Sequence, residues 1–180
     1  MKKKIHGIIV GDEILSGKRQ DKHLHYLAKT LNSKGLSLNK VDYVSDDLRD
    51  ISETIQKKLN CIVFCFGGIG ATPDDCTRQA AAKAHQRKLA QHPEALQLII
   101  DQFGVDAYPK RVLMSELPVG ANIIPNEINN IPGFSVGEHY FMPGFPEMSW
   151  PMVQWVLEKY YSNITKDQLI DLSIWIDDVP

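Results

Sequence analysis

The run Cys61-Ile62-Val63-Phe64-Cys65-Phe66-Gly67-Gly68-Ile69-Gly70-Ala71-Thr72-Pro73-Asp74-Asp75-Cys76-Thr77-Arg78 decides how the chain reads. Six apolar residues without a polar break suit a strand covered on both faces. Three glycines follow, which permit positive φ and let a ligand approach backbone N–H groups. Thr72-Pro73 then reads as a helix start, with Thr72 as N-cap, Pro73 at the first helical position and Asp75 placed to close a capping box. The expected helix spans about Asp74 to Gln86. Its N-terminus would suit a phosphate or diphosphate. The glycine spacing is neither the dinucleotide fingerprint nor a P-loop, and no lysine follows to reach β- and γ-phosphates.

Outward from this run, strand and helix signals alternate. Ile5 to Val10 is a short apolar run ending in glycine. Asp21 to Ser33 carries Leu24, Leu27, Ala28 and Leu31 at helical spacing, and Gly35 stops it. Leu36 to Val44 has strand period, and the next helix sets Leu48, Ile51, Ile55 and Leu59 on one face. A further helix spans Pro93 to Phe103. This order implies a parallel sheet with right-handed crossovers and helices on both faces. The segment from Ala107 to Gly137 has no helical period; its apolar pieces at Ala121–Ile124 and Phe134–Val136 predict a hairpin appended to the sheet. A strand over Glu138–Met142 and a helix from Pro146 to about Tyr161 complete the domain, residues 1–161. Residues 162–180 read as a tail, in which Leu172 to Ile176 has strand character without a visible partner.

Ligands on such sheets bind beyond the carboxyl ends of the strands. The loops that count therefore follow Val10, Val44 and Phe66. Each carries carboxylates: Asp12 and Glu13 in Gly11-Asp12-Glu13-Ile14-Leu15-Ser16-Gly17, Asp46 and Asp47 after Val44, Asp74 and Asp75 after the glycines. Two adjacent carboxylates would repel a bare phosphate. They make sense if Mg²⁺ bridges carboxylate and phosphate oxygens. The plainer alternatives are that Asp74 and Asp75 serve the helix dipole, that Asp46 or Asp47 is an N-cap, and that Asp21 caps its helix. Met142-Pro143-Gly144-Phe145-Pro146-Glu147 adds a rigid turn between strand and helix, again exposing helix N–H groups.

The 180 residues include 20 Lys+Arg and 22 Asp+Glu, for a net charge of −2. That balance argues against an electrostatic nucleic-acid binder. No apolar stretch approaches the roughly 20 residues that span a bilayer, and no signal peptide is legible, so a cytoplasmic protein is expected. Cys61, Cys65 and Cys76 have no metal-ligand spacing. The six histidines read as structural or exposed. Trp150, Trp155, Tyr160, Tyr161 and Trp175 exceed what one helix face buries, which predicts self-association.

The Gly-Asp-Glu turn, the Gly-Gly-Ile-Gly-Ala-Thr-Pro-Asp-Asp run and the Met-Pro-Gly-Phe-Pro-Glu turn together resemble the molybdopterin-binding domain of molybdenum cofactor biosynthesis proteins, with the nearest likeness to the competence/damage-inducible protein A (CinA) family. The resemblance covers about residues 4 to 160. It implies a three-layer α/β/α fold, mainly parallel, and a dimer or alternatively a trimer. It also implies a pterin or nucleotide diphosphate as ligand, with Mg²⁺. Some members transfer adenylate to molybdopterin, and the CinA branch includes pyrophosphatases acting on ADP-ribose-like dinucleotides. By the same likeness Asp75 and Asp46 would be catalytic and, with Asp12, would hold the metal. Gly11, Asp12, Glu13, Ser16, Gly67, Gly68, Gly70, Thr72, Asp74, Pro143, Gly144 and Pro146 would line the ligand site. CinA-like chains usually carry glycine at the position of Asn129, and asparagine tolerates the left-handed region better than most residues. The chain has neither the amidase domain of full-length CinA nor an FAD synthase domain, and its end resembles the start of the small subdomain that follows in CinA-like chains.

Overall fold

The structure is a computed structural model that describes residues 3–162. In chain order its main elements are β1 (Ile5–Val10), α1 (Asp12–Leu15), α2 (His23–Ser33), β2 (Leu38–Val44), α3 (Leu48–Gln56), β3 (Ile62–Phe66) and α4 (Thr77–Ala84). They continue with β4 (Leu89–Gln91), α5 (Pro93–Phe103), two 3₁₀ turns at Gly104–Ala107 and Arg111–Ser115, β5 (Glu116–Pro118), β6 (Asn122–Ile124), β7 (Gly133–Val136), β8 (His139–Met142) and α6 (Pro146–Tyr161).

Six strands form one sheet in the order β2-β1-β3-β8-β7-β6. β1, β2, β3 and β8 run parallel, and β7 and β6 follow as the expected hairpin, antiparallel to β8 and to each other. Alternation along each strand sorts the core into two layers. Ile8, Val10, Val63, Cys65 and Phe141 face one way, onto Ile51 and Ile55 of α3 and Ala80, Ala81 and Ala84 of α4. Ile9, Phe64, Phe66, Tyr140 and Met142 face the other, onto Leu27 and Leu31 of α2 and Met152, Val153, Val156 and Leu157 of α6. All five residues of β3 are buried, as a doubly covered central strand requires. This is the three-layer α/β/α sandwich.

Three local expectations are corrected. The helix after the glycine loop begins at Thr77 rather than Asp74, with Cys76 at its N-cap. Thr72 is not an N-cap: its N–H and its hydroxyl both donate to Asp75 Oδ2, and Asp75 N–H donates to the Thr72 carbonyl, so residues 72–75 close as a turn on themselves. A two-stranded antiparallel sheet, β4 with β5, stands where the sequence carried no strand signal. The aromatic rings of α6 also find more partners inside the chain than one helix face offers. Trp150 stacks on Tyr26 of α2, ring centroids 4.3 Å apart, and Tyr140 of β8 meets both Tyr160 and Tyr161. Leu172 to Ile176, with Trp175, lies outside the described residues.

Candidate functional site

Two loops build the floor. The Gly67 N–H donates to the Met142 carbonyl at 3.0 Å, and a Cβ added to Gly144 would stand 3.3 Å from Gly67 Cα. The loops after β3 and β8 are therefore in backbone contact. The glycines answer to the chain's own packing as much as to any ligand. Gly67, at φ 101°, has no room for a Cβ: it would stand 2.4 Å from the Val10 carbonyl oxygen. At Gly68, φ 68°, a Cβ would meet Thr77 Oγ1 at 2.3 Å. That hydroxyl donates to the Gly67 carbonyl, and Thr77 N–H donates to the Gly68 carbonyl, so the loop locks onto the first residue of α4.

Arg78 locks it a second time. The buried guanidinium donates through Nη2 to the Gly70 carbonyl at 2.8 Å and through Nη1 to the Leu113 carbonyl. Burial pulls its pKa down from the usual arginine range, and the charges of Asp75 and Glu116 pull it back up.

Above this floor lies a cavity of about 410 Å³. Its apolar wall includes Ile9, Val10, Ile14, Phe66, Ile69, Met114, Ile131 and Met148. Four carboxylates line it: Glu13, Asp46, Asp74 and Asp75. Gly67, Gly68, Gly70, Thr72, Pro143 and Gly144 line it as expected. Gly11, Asp12, Ser16 and Pro146 stand outside the lining. Gly11 caps α1, Ser16 ends it, and Pro146 opens α6.

Asp12 acts behind the wall. Its N–H donates to Asp46 Oδ2 at 2.8 Å, and its own Oδ1 accepts from Asp46 N–H at 3.3 Å. The neighbouring Asp47 is the N-cap of α3, accepting from Arg49 and Asp50 N–H, which leaves Asp46 to the cavity. Burial pushes the Asp46 carboxyl above the usual carboxylate range. The Asp12 N–H opposes this, and the negative charges of Asp12, Glu13 and Asp74 add to it.

Arg19 is the one arginine or lysine on the wall. It reaches Glu13 at 3.4 Å and lies over the exposed Phe145 ring, 5.3 Å from its centroid. Such a wall favours a cation near Asp46 and resists a bare anion. Among the described residues no three His, Cys, Asp or Glu are grouped to hold a metal ion alone. A Mg²⁺ ion that takes one or two protein carboxylates and completes its shell with water and substrate phosphate needs no such group. The donor set fits that mode.

Sequence reading did not assign His23, Arg19, Asn129 and Met148 to the site, although all four line it. His23 is buried against Phe66 with its Nε2 at the Gly144 carbonyl. Those partners are remote in sequence, so no local spacing signals them. Asn129 does not take the left-handed conformation expected of it; the positive φ, 55°, falls on Asn130. Instead the Asn129 side chain ties the loop together, accepting at Oδ1 from Asn126 Nδ2 and Ile131 N–H while its Nδ2 reaches Met148 Sδ. No described helix is long and apolar enough to cross a membrane.

Comparison with known proteins agrees with this geometry. Residues 7–163 match the family model described as "Probable molybdopterin binding domain". A CinA-like protein of Desulforapulum autotrophicum is 37% identical over 164 residues, 86% of this chain and 39% of that protein. A CinA-like protein of Geotalea uraniireducens is 28% identical over 96% of this chain and 43% of its own length. The chain thus spans less than half of these relatives. Among solved structures, the protein CinA with unknown function from Thermoplasma acidophilum superposes with a TM-score of 0.80 at 27% identity, covering 87% of this chain and 97% of that one. The tungsten cofactor synthesizing protein MoaB from Pyrococcus furiosus shares the fold at a TM-score of 0.54 and 17% identity, over 90% and 95% of the two chains. Together with the β3 loop and its carboxylate-lined cavity, these matches place the chain in the molybdopterin-binding domain family, on its CinA-like side.

Proposed function

We propose that the cavity binds a pterin or nucleotide diphosphate and that, with Mg²⁺, the protein splits the pyrophosphate of an ADP-ribose-like dinucleotide. The observation that carries this reading is the facing of Glu13, Asp46, Asp74 and Asp75 onto one cavity beside the glycine loop, with Arg19 the one arginine or lysine on the wall. Asp46 and Asp75 would hold the metal, with Asp12 orienting Asp46 through its N–H. Bound there, the ion would offset charge on the phosphoryl group. Thr72 engages Oδ2 of Asp75, so Oδ1 is the oxygen that would remain for the ion. N–H groups between Gly68 and Asp74, other than that of Thr72, hold the non-reacting oxygens. With Asp46 committed to the ion, the attacking water would be made more acidic by the metal and would release its proton to solvent. Water adds to phosphorus, the bridging P–O bond breaks, and AMP leaves with a ribose phosphate.

Incubation of the protein with Mg²⁺ and ADP-ribose, NAD or FAD tests this. AMP should appear from ADP-ribose, and should fail to appear with chelator or in Asp46→Asn. An active chain that releases no AMP from any of the three removes the pyrophosphatase reading. The family match favours a second one, adenylyl transfer to molybdopterin through the same loops, which would consume ATP and molybdopterin together. A non-catalytic pterin- or nucleotide-binding module would bind without either turnover. We further propose a cytoplasmic homo-oligomer, a dimer or alternatively a trimer, with residues 162–180 as a segment beyond the domain; light scattering reads the first point.

A further inference from the structure

The loop between β6 and β7 sets an amide donor on the cavity wall. Asn129 and Met148 both line the cavity, and both are half-buried. The neighbours of Asn129 fix which way its amide is turned. Oδ1 accepts from Asn126 Nδ2 at 2.7 Å and from Ile131 N–H at 3.2 Å, which uses both of its lone pairs. Turning the amide over would set its NH₂ against those two donors. Asn126 is held in turn, since its Nδ2 also donates to the Ile131 carbonyl and its Oδ1 accepts from Ile128 N–H. Among the described residues the one partner of Asn129 Nδ2 is Met148 Sδ, at 3.4 Å. A thioether is a weak acceptor, and Nδ2 carries two hydrogens. The amide therefore has a donor to offer a ligand, and the pliant Met148 side chain can yield to one.

Topology sets this donor apart from the carboxylates. In the sheet order β2-β1-β3-β8-β7-β6, Asp46 follows β2, Glu13 follows β1, and Asp74 and Asp75 follow β3. Asn129 precedes β7, on the far side of β8, and its companions on the wall there are Ile131 and Met148. We infer that Asn129 selects the ring of the ligand: Nδ2 donates a hydrogen bond to an in-plane acceptor, a ring nitrogen or ring carbonyl, of a heteroaromatic group whose diphosphate lies towards the carboxylates. The inference rests on the reading of this cavity as a pterin or nucleotide site. An exocyclic amino group only donates, so Asn129 turns that edge of a ring away. A sugar hydroxyl would leave its own hydrogen against an apolar wall. A ring acceptor brings no hydrogen, and Ile131 and Met148 can cover the ring beside it. Adenine and pterin both carry such acceptors.

The test uses the whole chain with Mg²⁺ and two probe series. One is ADP-ribose with its 1-deaza, 3-deaza and 7-deaza analogues. The other is a pterin with analogues that lack the 4-oxo group or one ring nitrogen. Calorimetry should show, within one series, that loss of a single acceptor weakens binding about tenfold while loss of the others does not. The side-chain amide resonance of Asn129 should move on binding the parent ring and stay in place with that one analogue. Asn129→Asp keeps an oxygen for Asn126 and Ile131 and exchanges the donor for an acceptor. Its added charge weakens the parent and its analogue alike, so their ratio is the quantity to read, and that ratio should fall to about one. A wild-type chain that binds the parent ring with no acceptor-specific loss and an unmoved amide overturns the role of Asn129 and leaves the cavity as a ligand site. A preference that persists in Asn129→Asp overturns that role too. A wild-type chain that binds neither ring overturns both readings. The wild-type measurements decide the matter even if Asn129→Asp folds poorly.

Discussion

The two ends of the parallel sheet handle their polar groups differently. At the amino end most of these groups are spent on one another. His139, 1% exposed, holds the Lys58 carbonyl through Nε2 at 3.0 Å, and its Nδ1 meets His85 Nε2 at 3.1 Å. The buried Lys58 ammonium reaches Asp42 at 2.9 Å. His6 is the exception there, with neither ring nitrogen partnered. At the carboxyl end the carboxylates of Glu13, Asp46, Asp74 and Asp75 face a cavity, and the buried His23 Nδ1 makes no hydrogen bond. One end closes its hydrogen bonds for stability. The other turns carboxylates towards a cavity, with Asp46 held above its usual range by burial and by its acidic neighbours, as binding sites do.

The sharpest attempt to break this contrast is Gly67→Val. The glycine lies at the open end yet is structural, because its φ is 101° and a Cβ would stand 2.4 Å from the Val10 carbonyl. We expect a loss of about 4 kcal/mol or more, seen as failed folding or a collapsed denaturation midpoint. A variant that folds normally and merely binds less would show that the loop is plastic.

Acid titration probes the closed end. Burial first, then His139 and Arg87 beside His85, and Lys3 and Lys58 beside His139, hold both rings down to about 4. Both values lie below the ordinary 6.5, so the unfolded chain takes up protons first. Their stabilisation is whole above pH 6.5 and drains as the pH falls towards 4. The loss should be on the order of 3 kcal/mol, measured by denaturant unfolding at pH 7 and pH 4.5. His139→Leu should flatten that slope, and an unchanged slope would assign the acid sensitivity elsewhere.

Arg78→Met tests the lock between the two 3₁₀ turns' region and the glycine loop. It leaves the Gly70 and Leu113 carbonyls without their donor, at about 2 kcal/mol, with weakened ligand binding as a second readout. The smallest effects separate two adjacent aspartates. Asp47→Ala removes an N-cap and should cost about 1 kcal/mol with activity kept. Asp46→Asn should do the reverse. Its folded pKa is raised, so its charge burdens the fold at neutral pH, and neutralising it should leave stability equal or slightly higher while turnover falls. Equal behaviour of the two variants would dissolve the distinction.

The parallel sheet, the hairpin and α6 were legible because each is announced by a local pattern: Ile62–Phe66 by unbroken apolarity, Pro146–Tyr161 by its turn and stripe. The three strand-end loops were legible for the same reason, since topology alone sends them to one edge. The β4–β5 sheet was not legible. Three-residue strands show no alternation, and Leu89–Gln91 pairs with Glu116–Pro118 far along the chain. The start of α4 was misread because Thr72 and Asp75 satisfy each other in a turn, a use of the same two side chains that the motif does not distinguish from a cap. His23 escaped because its role depends on Phe66 and Gly144, and the latter lies 121 residues away.

The backbone contact between Gly67 and Gly144 has a consequence for how such a site could diversify. Two loops welded glycine to glycine cannot be lengthened or reshaped one at a time, so the floor is a fixed chassis. Variety must enter from the sides, through the Asp12–Asp21 turn that carries Glu13 and Arg19 and the Asn126–Ile131 loop that Asn129 staples. An engineer seeking a new ligand should randomise those two flanks and leave the glycines untouched.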